Sequence, residues 1–326
     1  MKDNGIKSFS IDFNWYDGVH APKNMFRNAD AGAWVEWYKE LGCNNFWTFA
    51  MSYNGYAWFP SETVPKITGL QTNFVKNCCD LGHANAMTVF AYLCFGANPQ
   101  YQRIHPELFR PSISVCPEYI TAIYNDRYID YFISVCLDVL GKAPLDGLVF
   151  DWFRGATVKR PVWSDIEKEL YEKIMGEKFP KSDPDADVIA RYDFLTLEYA
   201  WKKIRAALSS YIANGLKLWT NQPFDKINDP VWKNHILLKE ADYILNESPD
   251  VTLLEWLGAE VGENTTIVQN YCGWIGHDID KMSGFDKSRY GKFGFAAADP
   301  DTCLPTERMS PENFRNIVLL KELFLA

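Results

Sequence analysis

The sequence lacks the residue patterns that mark several large classes of enzyme. Its five histidines are scattered, whereas a metal-dependent hydrolase built on a barrel needs several of them at strand ends. It has no G-x-S-x-G motif, which argues against a serine hydrolase. It also has no G-x-G-x-x-G motif after the first predicted strand, which argues against a dinucleotide-binding fold. We therefore expect neither a metal nor a cofactor, and the residues left for chemistry are carboxylates.

Long apolar runs and basic patches are also missing. No stretch of about 18 apolar residues occurs, so nothing is predicted to span a membrane. The polar start, MKDNGIKSFSIDFN, contains no signal-peptide core. The net charge is −9, so nucleic acid and anionic membranes are poor partners. The eight cysteines form no C-x-x-C pair and several lie in apolar runs, which predicts buried thiols and a cytoplasmic location. The oligomeric state is left open.

What the sequence does contain is a regular alternation of short apolar runs and longer amphipathic segments. Near-continuous apolar strands between helices indicate a parallel sheet that is covered on both faces. The predicted strands are Ser8–Trp15, Asn44–Met51, Ala86–Gly96, Leu145–Trp152, Leu216–Asn221, Ala241–Glu247, Thr265–Asn270 and Lys292–Ala298. The predicted helices are Ala29–Leu41, Asn73–Leu81, Asp126–Leu140, Tyr192–Ile212 and Ser310–Leu325, the second of which should stop at Gly82.

Eight such repeats in one chain favour a closed α/β barrel, the (β/α)8 or TIM barrel, over an open doubly wound sheet. We expect residues 1–326 to form this single domain, because no composition shift marks a second one. The segment 157–187 is long, charged and contains proline. It is predicted to be an elaborated, partly helical loop after the fourth strand.

The active site of such a barrel lies at the carboxyl ends of its strands. Asp151 follows the apolar Leu-Val-Phe of the fourth strand, where a charge costs desolvation energy unless it has a partner. We interpret it as a catalytic carboxylate; the alternative is a structural ion pair with Arg154. Glu247, at the end of the sixth strand, is the candidate second acid, and the alternative is a loop-fixing or ligand-binding role. Trp58 and Trp274 are further candidates for an aromatic wall or for packing. The predicted ligand-binding residues are Asp12, Trp15, Tyr53, Asn54, Tyr92, Trp152, Arg154, Asn221, Asn246, Tyr271 and Asp299.

Two segments resemble a known family. The stretch from Ser52 to Gly96, SYNGYAWFPSETVPKITGLQTNFVKNCCDLGHANAMTVFAYLCFG, resembles the region between strands two and three of the α-L-fucosidases of glycoside hydrolase family 29 and of related hypothetical glycosyl hydrolases. The segment NDRYIDYFISVCLDVLGKAPLDGLVFDWFRG is similar to the helix and strand that carry the fucosidase nucleophile. The resemblance implies a barrel and a retaining mechanism with Asp151 as nucleophile. Tyr53 and Asn54 stand where the fucosidases carry a His-His pair, so the resemblance does not fix the sugar.

Three hypotheses follow from these residues. The favoured one is a retaining glycoside hydrolase acting on a carbohydrate, because paired carboxylates perform this hydrolysis. The second is a non-catalytic carbohydrate-binding barrel derived from such an enzyme. The third is a lyase or isomerase on the same barrel, since a fold does not determine a function.

Overall fold

A closed barrel of eight parallel strands forms the centre of the molecule. The computed structural model describes residues 5–13, 25–110, 122–153, 163–222, 232–273, 279, 286–308 and 311–325. Each strand pairs with its neighbours in chain order, and β1 pairs with β8 to close the ring. This confirms the predicted (β/α)8 fold. The strands are β1 Lys7–Asp12, β2 Asn45–Met51, β3 Thr88–Cys94, β4 Gly147–Asp151, β5 Lys217–Gln222, β6 Tyr243–Asn246, β7 Thr266–Asn270 and β8 Gly291–Ala297.

All eight predicted strands are present, and the errors lie at their ends. The third strand was expected from Ala86 but begins at Thr88, because Ala86 has a left-handed backbone with φ of 58° that no strand accommodates. The first strand was expected to reach Trp15, but β1 ends at Asp12. Overlong predictions are natural here, since apolar runs continue into the turns that pack over the barrel ends.

Helices cover the outside of the barrel in the described ranges. They are α1 Ala31–Leu41, α2 Phe74–Ala84, α3 Pro99–Ile104, α4 Asp126–Leu140, α5 Asp165–Met175, α6 Ala186–Ala207, α7 Ser209–Ala213, α8 Ile236–Glu240, α9 Val251–Glu260 and α10 Pro311–Leu325. Side-chain caps define several starts: Asp30 accepts from the Gly32 amide at 2.7 Å, and Asn125 accepts from the Tyr128 amide at 3.0 Å. Helix α1 ends at Gly42, which adopts the left-handed conformation with φ of 92°.

Two helix predictions were wrong. The second helix does not stop at Gly82 but continues through it to Ala84. A Cβ at Gly82 would lie 2.6 Å from Val89 and 2.9 Å from Phe46, so this glycine allows the helix to pack closely on the sheet rather than ending it. The long helix expected at Tyr192–Ile212 begins earlier and is divided at Leu208 into α6 and α7.

The elaborated segment after β4 forms a second small core beside the barrel. Within its described part, α5 packs on α6, and together they bury Trp163, Leu170, Tyr171 and Tyr192 with Ile123 from the preceding β-to-α connection. A buried ion pair joins the two connections. The Arg110 Nε lies 2.7 Å from Glu167 Oε1, and the side chains are 8% and 1% exposed. Within the segment 157–187, the described part contains α5 at Asp165–Met175.

Apolar packing accounts for most of the cysteines. Cys43, Cys78, Cys79, Cys136 and Cys272 are buried thiols, and Cys116 lies outside the described residues. Burial raises the pKa of the Cys79 and Cys272 thiols to about 12, so they stay protonated.

Among the described residues, none of the helices has the length and apolar character needed to cross a membrane.

Candidate active site

A small cavity lies at the carboxyl end of the barrel. Most of the eight strands contribute residues to its wall. Its volume is about 50 Å³. Five of the predicted site residues line it, and they are Asp12, Tyr92, Asp151, Asn221 and Glu247. Ser10, Trp47, Phe293 and Phe295 complete its wall. Residues at the ends of β1, β3, β4 and β5, and the residue after β6, therefore meet in one place.

Asp151 ends β4, and two donors hold its carboxylate. The Tyr92 hydroxyl donates to Oδ2, and the backbone amide of Trp152 donates to Oδ1 at 2.8 Å. Burial raises the pKa of Tyr92 well above its ordinary value, and the charge of Asp151 raises it further. The phenol therefore remains a donor. Hydrogen bonds of this kind favour the ionised form of a carboxylate and fix its orientation.

The backbone immediately after Asp151 is strained. Trp152 has φ of 57°, a left-handed conformation that is unusual for a bulky residue and costs about 1–3 kcal/mol. Neighbouring groups hold it there. Phe95 donates its amide to the Asp151 carbonyl at 2.8 Å, and the Tyr124 hydroxyl donates to the Trp152 carbonyl at 3.2 Å. A Cβ at Gly96 would lie 2.2 Å from that carbonyl oxygen, so only glycine permits this approach.

The twist at Trp152 places its ring beside another predicted site residue. The Trp152 and Tyr53 ring centroids are 5.3 Å apart, with the planes tilted by 55°. Tyr53 is nearly fully buried, whereas Trp152 is half-buried and retains an accessible part. The half-buried Trp152 ring therefore packs on the buried ring of Tyr53.

The second and third carboxylates of the cavity are Glu247 and Asp12. Glu247 follows the last residue of β6 and Asp12 ends β1, and both are half-buried. In the described part of the cavity wall these acids are accompanied by no lysine or arginine. The three acids therefore share one cavity wall. The described residues contain no cluster of three or more His, Cys, Asp or Glu arranged to hold a metal ion.

Aromatic rings form the floor of the cavity, and the sequence reasoning missed them. The Trp47 ring lies 4.3 Å from that of Phe293 and 4.9 Å from that of Trp219, to which it is perpendicular. The alternation of side chains along each strand is a sequence signal for such inward-facing residues. Side chains alternate along a strand, so the residue two positions before each strand-end candidate faces the same side, as Ser10 does below Asp12.

Three other predicted residues lie close to the rim but do not line the cavity. Tyr53, Asn54 and Tyr271 are all buried. Within the described ranges, the Asn54 amide nitrogen and the Tyr271 hydroxyl have no hydrogen-bond partner. The Lys287 ammonium lies 6.0 Å from the Tyr271 ring centroid.

Asn246 and Asp299 are engaged in contacts with the protein itself. The Asn246 amide donates to Gln269 Oε1 at 2.7 Å and to the Ser248 carbonyl at 3.0 Å, which joins the ends of β6 and β7. Asp299 accepts from Arg308 Nε at 2.7 Å and from Thr306 at 3.1 Å. Arg308 holds the pKa of Asp299 below its ordinary value despite the opposing effect of burial. Both side chains thus shape the rim.

Four tryptophan and arginine candidates have other outcomes. Trp58 is completely buried in an aromatic cluster with Phe13, Phe26 and Phe49, so it packs the core and forms no wall of the cavity. Trp15, Arg154 and Trp274 lie outside the described residues.

Comparison with known proteins finds likeness in fold. No protein-family model matches the sequence, and no curated protein matches it. Among solved structures, α-L-fucosidase isoenzyme 2 from Paenibacillus thiaminolyticus aligns over 98% of this chain with a TM-score of 0.66 and 15% identity. A β-N-acetylhexosaminidase from Bacteroides fragilis gives 0.56 over 98%, and a noncanonic maltogenic α-amylase from Thermotoga neapolitana gives 0.54 over 100%, each at 12% identity.

These matches define a barrel of the kind found in glycoside hydrolases. This chain spans 48% of the fucosidase, 65% of the hexosaminidase and 78% of the amylase. At such identities the likeness concerns the fold. It extends to several glycoside hydrolases rather than to the fucosidase alone.

Proposed function

We propose that this protein is a retaining glycoside hydrolase with Asp151 as nucleophile. The observation that carries the proposal is the meeting of Asp151 with a second acid, Glu247, in one cavity at the carboxyl end of a barrel. A pair of carboxylates at one site is the chemical requirement for glycoside hydrolysis. The similarity in fold to several glycoside hydrolases supports the proposal.

In this mechanism Asp151 attacks the anomeric carbon while Glu247 gives its proton to the leaving oxygen. The glycosidic bond breaks and an ester between the sugar and Asp151 forms. Glu247, now a carboxylate, takes a proton from water as the water oxygen displaces Asp151. The product keeps the anomeric configuration of the substrate. Tyr92 and the Trp152 amide orient the Asp151 carboxylate for attack.

The remaining residues are assigned to sugar binding by their position. Asp12 and Asn221 line the cavity and offer acceptors to hydroxyl groups. The accessible part of the Trp152 ring offers an apolar face to a sugar ring, and Tyr53 supports that ring from behind. Asn246 and Asp299 are assigned to the support of the rim, because their hydrogen bonds go to protein groups.

The test begins with a panel of aryl glycosides, fucosides and galactosides first. Asp151→Asn should lower kcat for the accepted substrate by about 1000-fold or more while the unfolding transition stays in place. A matched control is Asp165→Asn, because that carboxylate is 95% exposed at the start of α5. Proton NMR of the first product should show the anomer of the substrate.

Two further outcomes separate the alternatives. A 2-deoxy-2-fluoro glycoside of the accepted sugar should add its mass to the peptide that contains Asp151. Unchanged turnover in Asp151→Asn, or label on another residue, would contradict the assigned nucleophile. Binding of sugars in calorimetry without cleavage of any glycoside would replace the hydrolase with the carbohydrate-binding barrel.

A further inference from the structure

Two polar atoms on residues that line the cavity are buried and have no hydrogen-bond partner among the described residues. They are the indole nitrogen Nε1 of Trp47 and the amide oxygen Oδ1 of Asn221. Both residues line the cavity, and their side chains are almost completely buried, at 2% and 4% exposure. Neither atom has a hydrogen-bond partner within the described part of the chain. Buried polar groups are nearly always paired, so a bound group is expected to complete them.

The two side chains have little freedom to find other partners. The Trp47 ring is held between Phe293 at 4.3 Å and Trp219 at 4.9 Å, with Tyr92 at 6.4 Å. Asn221 lies on β5, which pairs along its length with β4 and β6. Because the surrounding rings and strands fix these positions, the pair is organised before any ligand arrives. Such fixed polar groups discriminate between ligands.

The chemistry of the pair specifies the group that fits. An indole N–H can only donate, and an amide oxygen can only accept. A hydroxyl accepts from the first and donates to the second, whereas a methyl group does neither and an ammonium group only donates. If the Asn221 amide is rotated by 180°, its nitrogen takes the place of the oxygen and donates. A hydroxyl oxygen can then accept from both Asn221 and Trp47, so a hydroxyl fits that orientation too.

The size of the cavity limits the group to a small substituent. A cavity of about 150 Å³ holds a benzene ring. The cavity between the described residues, at about 50 Å³, is smaller than that, so a substituent of the sugar enters it while the ring itself lies at its opening. An acetamido group, with four non-hydrogen atoms, scales from the same benzene figure to about 100 Å³ and is also too large.

We propose that Trp47 and Asn221 form a specificity pocket for one free hydroxyl or hydroxymethyl group of the sugar held at Asp151. The inference rests on the proposed function and names its substrate class. That class is glycosides whose ring carries an unsubstituted hydroxyl at the position that points into the barrel. Glycosides with a methyl or acetamido group there are rejected.

The experiment compares the accepted aryl glycoside with analogues in which one hydroxyl at a time is replaced by hydrogen. Sites built to bind a hydroxyl reject the analogue that lacks it, by about ten thousand-fold in the strongest cases. Because water can partly replace the lost group, we expect a fall in kcat/KM of about 100-fold at one position of the ring. The 2-acetamido or 6-deoxy analogue should be rejected if that position is carbon 2 or carbon 6.

Variants of Trp47 and Asn221 test whether these two residues cause the loss of kcat/KM for the deoxy analogue. Trp47→Phe removes the N–H but keeps an aromatic ring, and Asn221→Leu removes the amide at similar volume. In each, the penalty for the deoxy analogue should fall below about 10-fold, because the unpaired partner is gone. The matched control is Trp219→Phe, whose indole nitrogen is also buried and unpartnered within the described ranges but whose ring does not line the cavity. It should keep the full penalty.

A second readout does not depend on turnover. Calorimetry with Asp151→Asn measures the ratio of dissociation constants for the hydroxyl and deoxy sugars, alone and combined with Trp47→Phe. A penalty that is the same in Trp47→Phe and the parent, or no sensitive position at all, would overturn the inference while leaving hydrolysis intact. If no sugar is bound or cleaved, the proposed function fails and the pocket fails with it.

Discussion

The close approach of Gly96 to the strained peptide of Trp152 gives the sharpest test of how the site is held. An added Cβ at position 96 would lie 2.2 Å from the Trp152 oxygen and 2.8 Å from the Trp152 Cβ. Ordinary contact begins at 3.4 Å, so Gly96→Ala must move the Trp152 carbonyl by about 1.2 Å, the difference between the two distances. The hydrogen bond from Tyr124, now 3.2 Å, does not survive such a shift.

The energetic and catalytic costs can be worked from that displacement. Overpacking of this kind costs about 1–3 kcal/mol, and the lost hydrogen bond adds about 1 kcal/mol. Since the Trp152 amide is a donor to Asp151, the carboxylate moves as well. A misplacement of about 1 Å can lower a rate by about 100-fold. Urea unfolding and kcat for the best aryl glycoside measure the two effects.

The matched control is Gly258→Ala. Gly258 lies in α9, and its added Cβ would meet only Ile267 at 4.0 Å. Alanine in a helix is favoured over glycine by about 0.5–1 kcal/mol, so this variant should be unchanged or slightly more stable. If Gly96→Ala unfolds at the same urea concentration as Gly258→Ala and keeps its turnover, the clamp on Trp152 does not exist as described.

Two predictions concern stability elsewhere. Arg110→Met leaves the Glu167 charge buried and should lower the free energy of unfolding by about 3–5 kcal/mol, whereas Arg127→Met breaks only an exposed pair with Glu107 and should cost less than about 1 kcal/mol; equal urea midpoints would disprove this. Burial lowers the pKa of His235 from 6.5 to about 4, and the neutral ring accepts from Leu237 and donates to Phe194. The unfolded chain therefore takes up a proton first, and stability present above pH 6.5 is lost as the pH falls towards 4, by up to about 3 kcal/mol. His235→Asn should flatten this dependence in urea titrations, and an unchanged pH slope would contradict it.

Much of the architecture follows from the sequence because its signal is repeated. Eight apolar runs separated by helices leave few alternatives to a barrel, and an error of two residues at one strand end does not change that conclusion. Gly82 shows where local rules fail. A glycine near a helix end has two physical uses, as a left-handed stop or as a close contact, and only the tertiary packing against Phe46 and Val89 decides between them.

The site is predictable to the extent that strand ends converge. Asp12, Tyr92, Asp151, Asn221 and Glu247 were found in this way, and they line one cavity. Adjacent residues on a strand point to opposite faces. Alternation would therefore have allowed only one of Asn246 and Glu247 to face the cavity.

Asp299 is a different case. Its partner Arg308 comes from the segment after β8, and no spacing rule predicts that a surface arginine reaches back to it. The Trp47 floor likewise depends on contacts across the barrel with Trp219 and Phe293, which are distant in sequence.

Closure of the barrel has a consequence for how the chain acquires its structure. The partner of Lys7 on β1 is Lys292 on β8, so the first strand waits for almost the whole chain before its second edge is covered. During synthesis, β1 and each newest strand present open edges that can pair with other chains. Contacts between such distant segments slow folding, because the loop must close before the pairing stabilises it. The closed ring leaves its eight described strands without an open edge, but β1 keeps one until β8 has emerged.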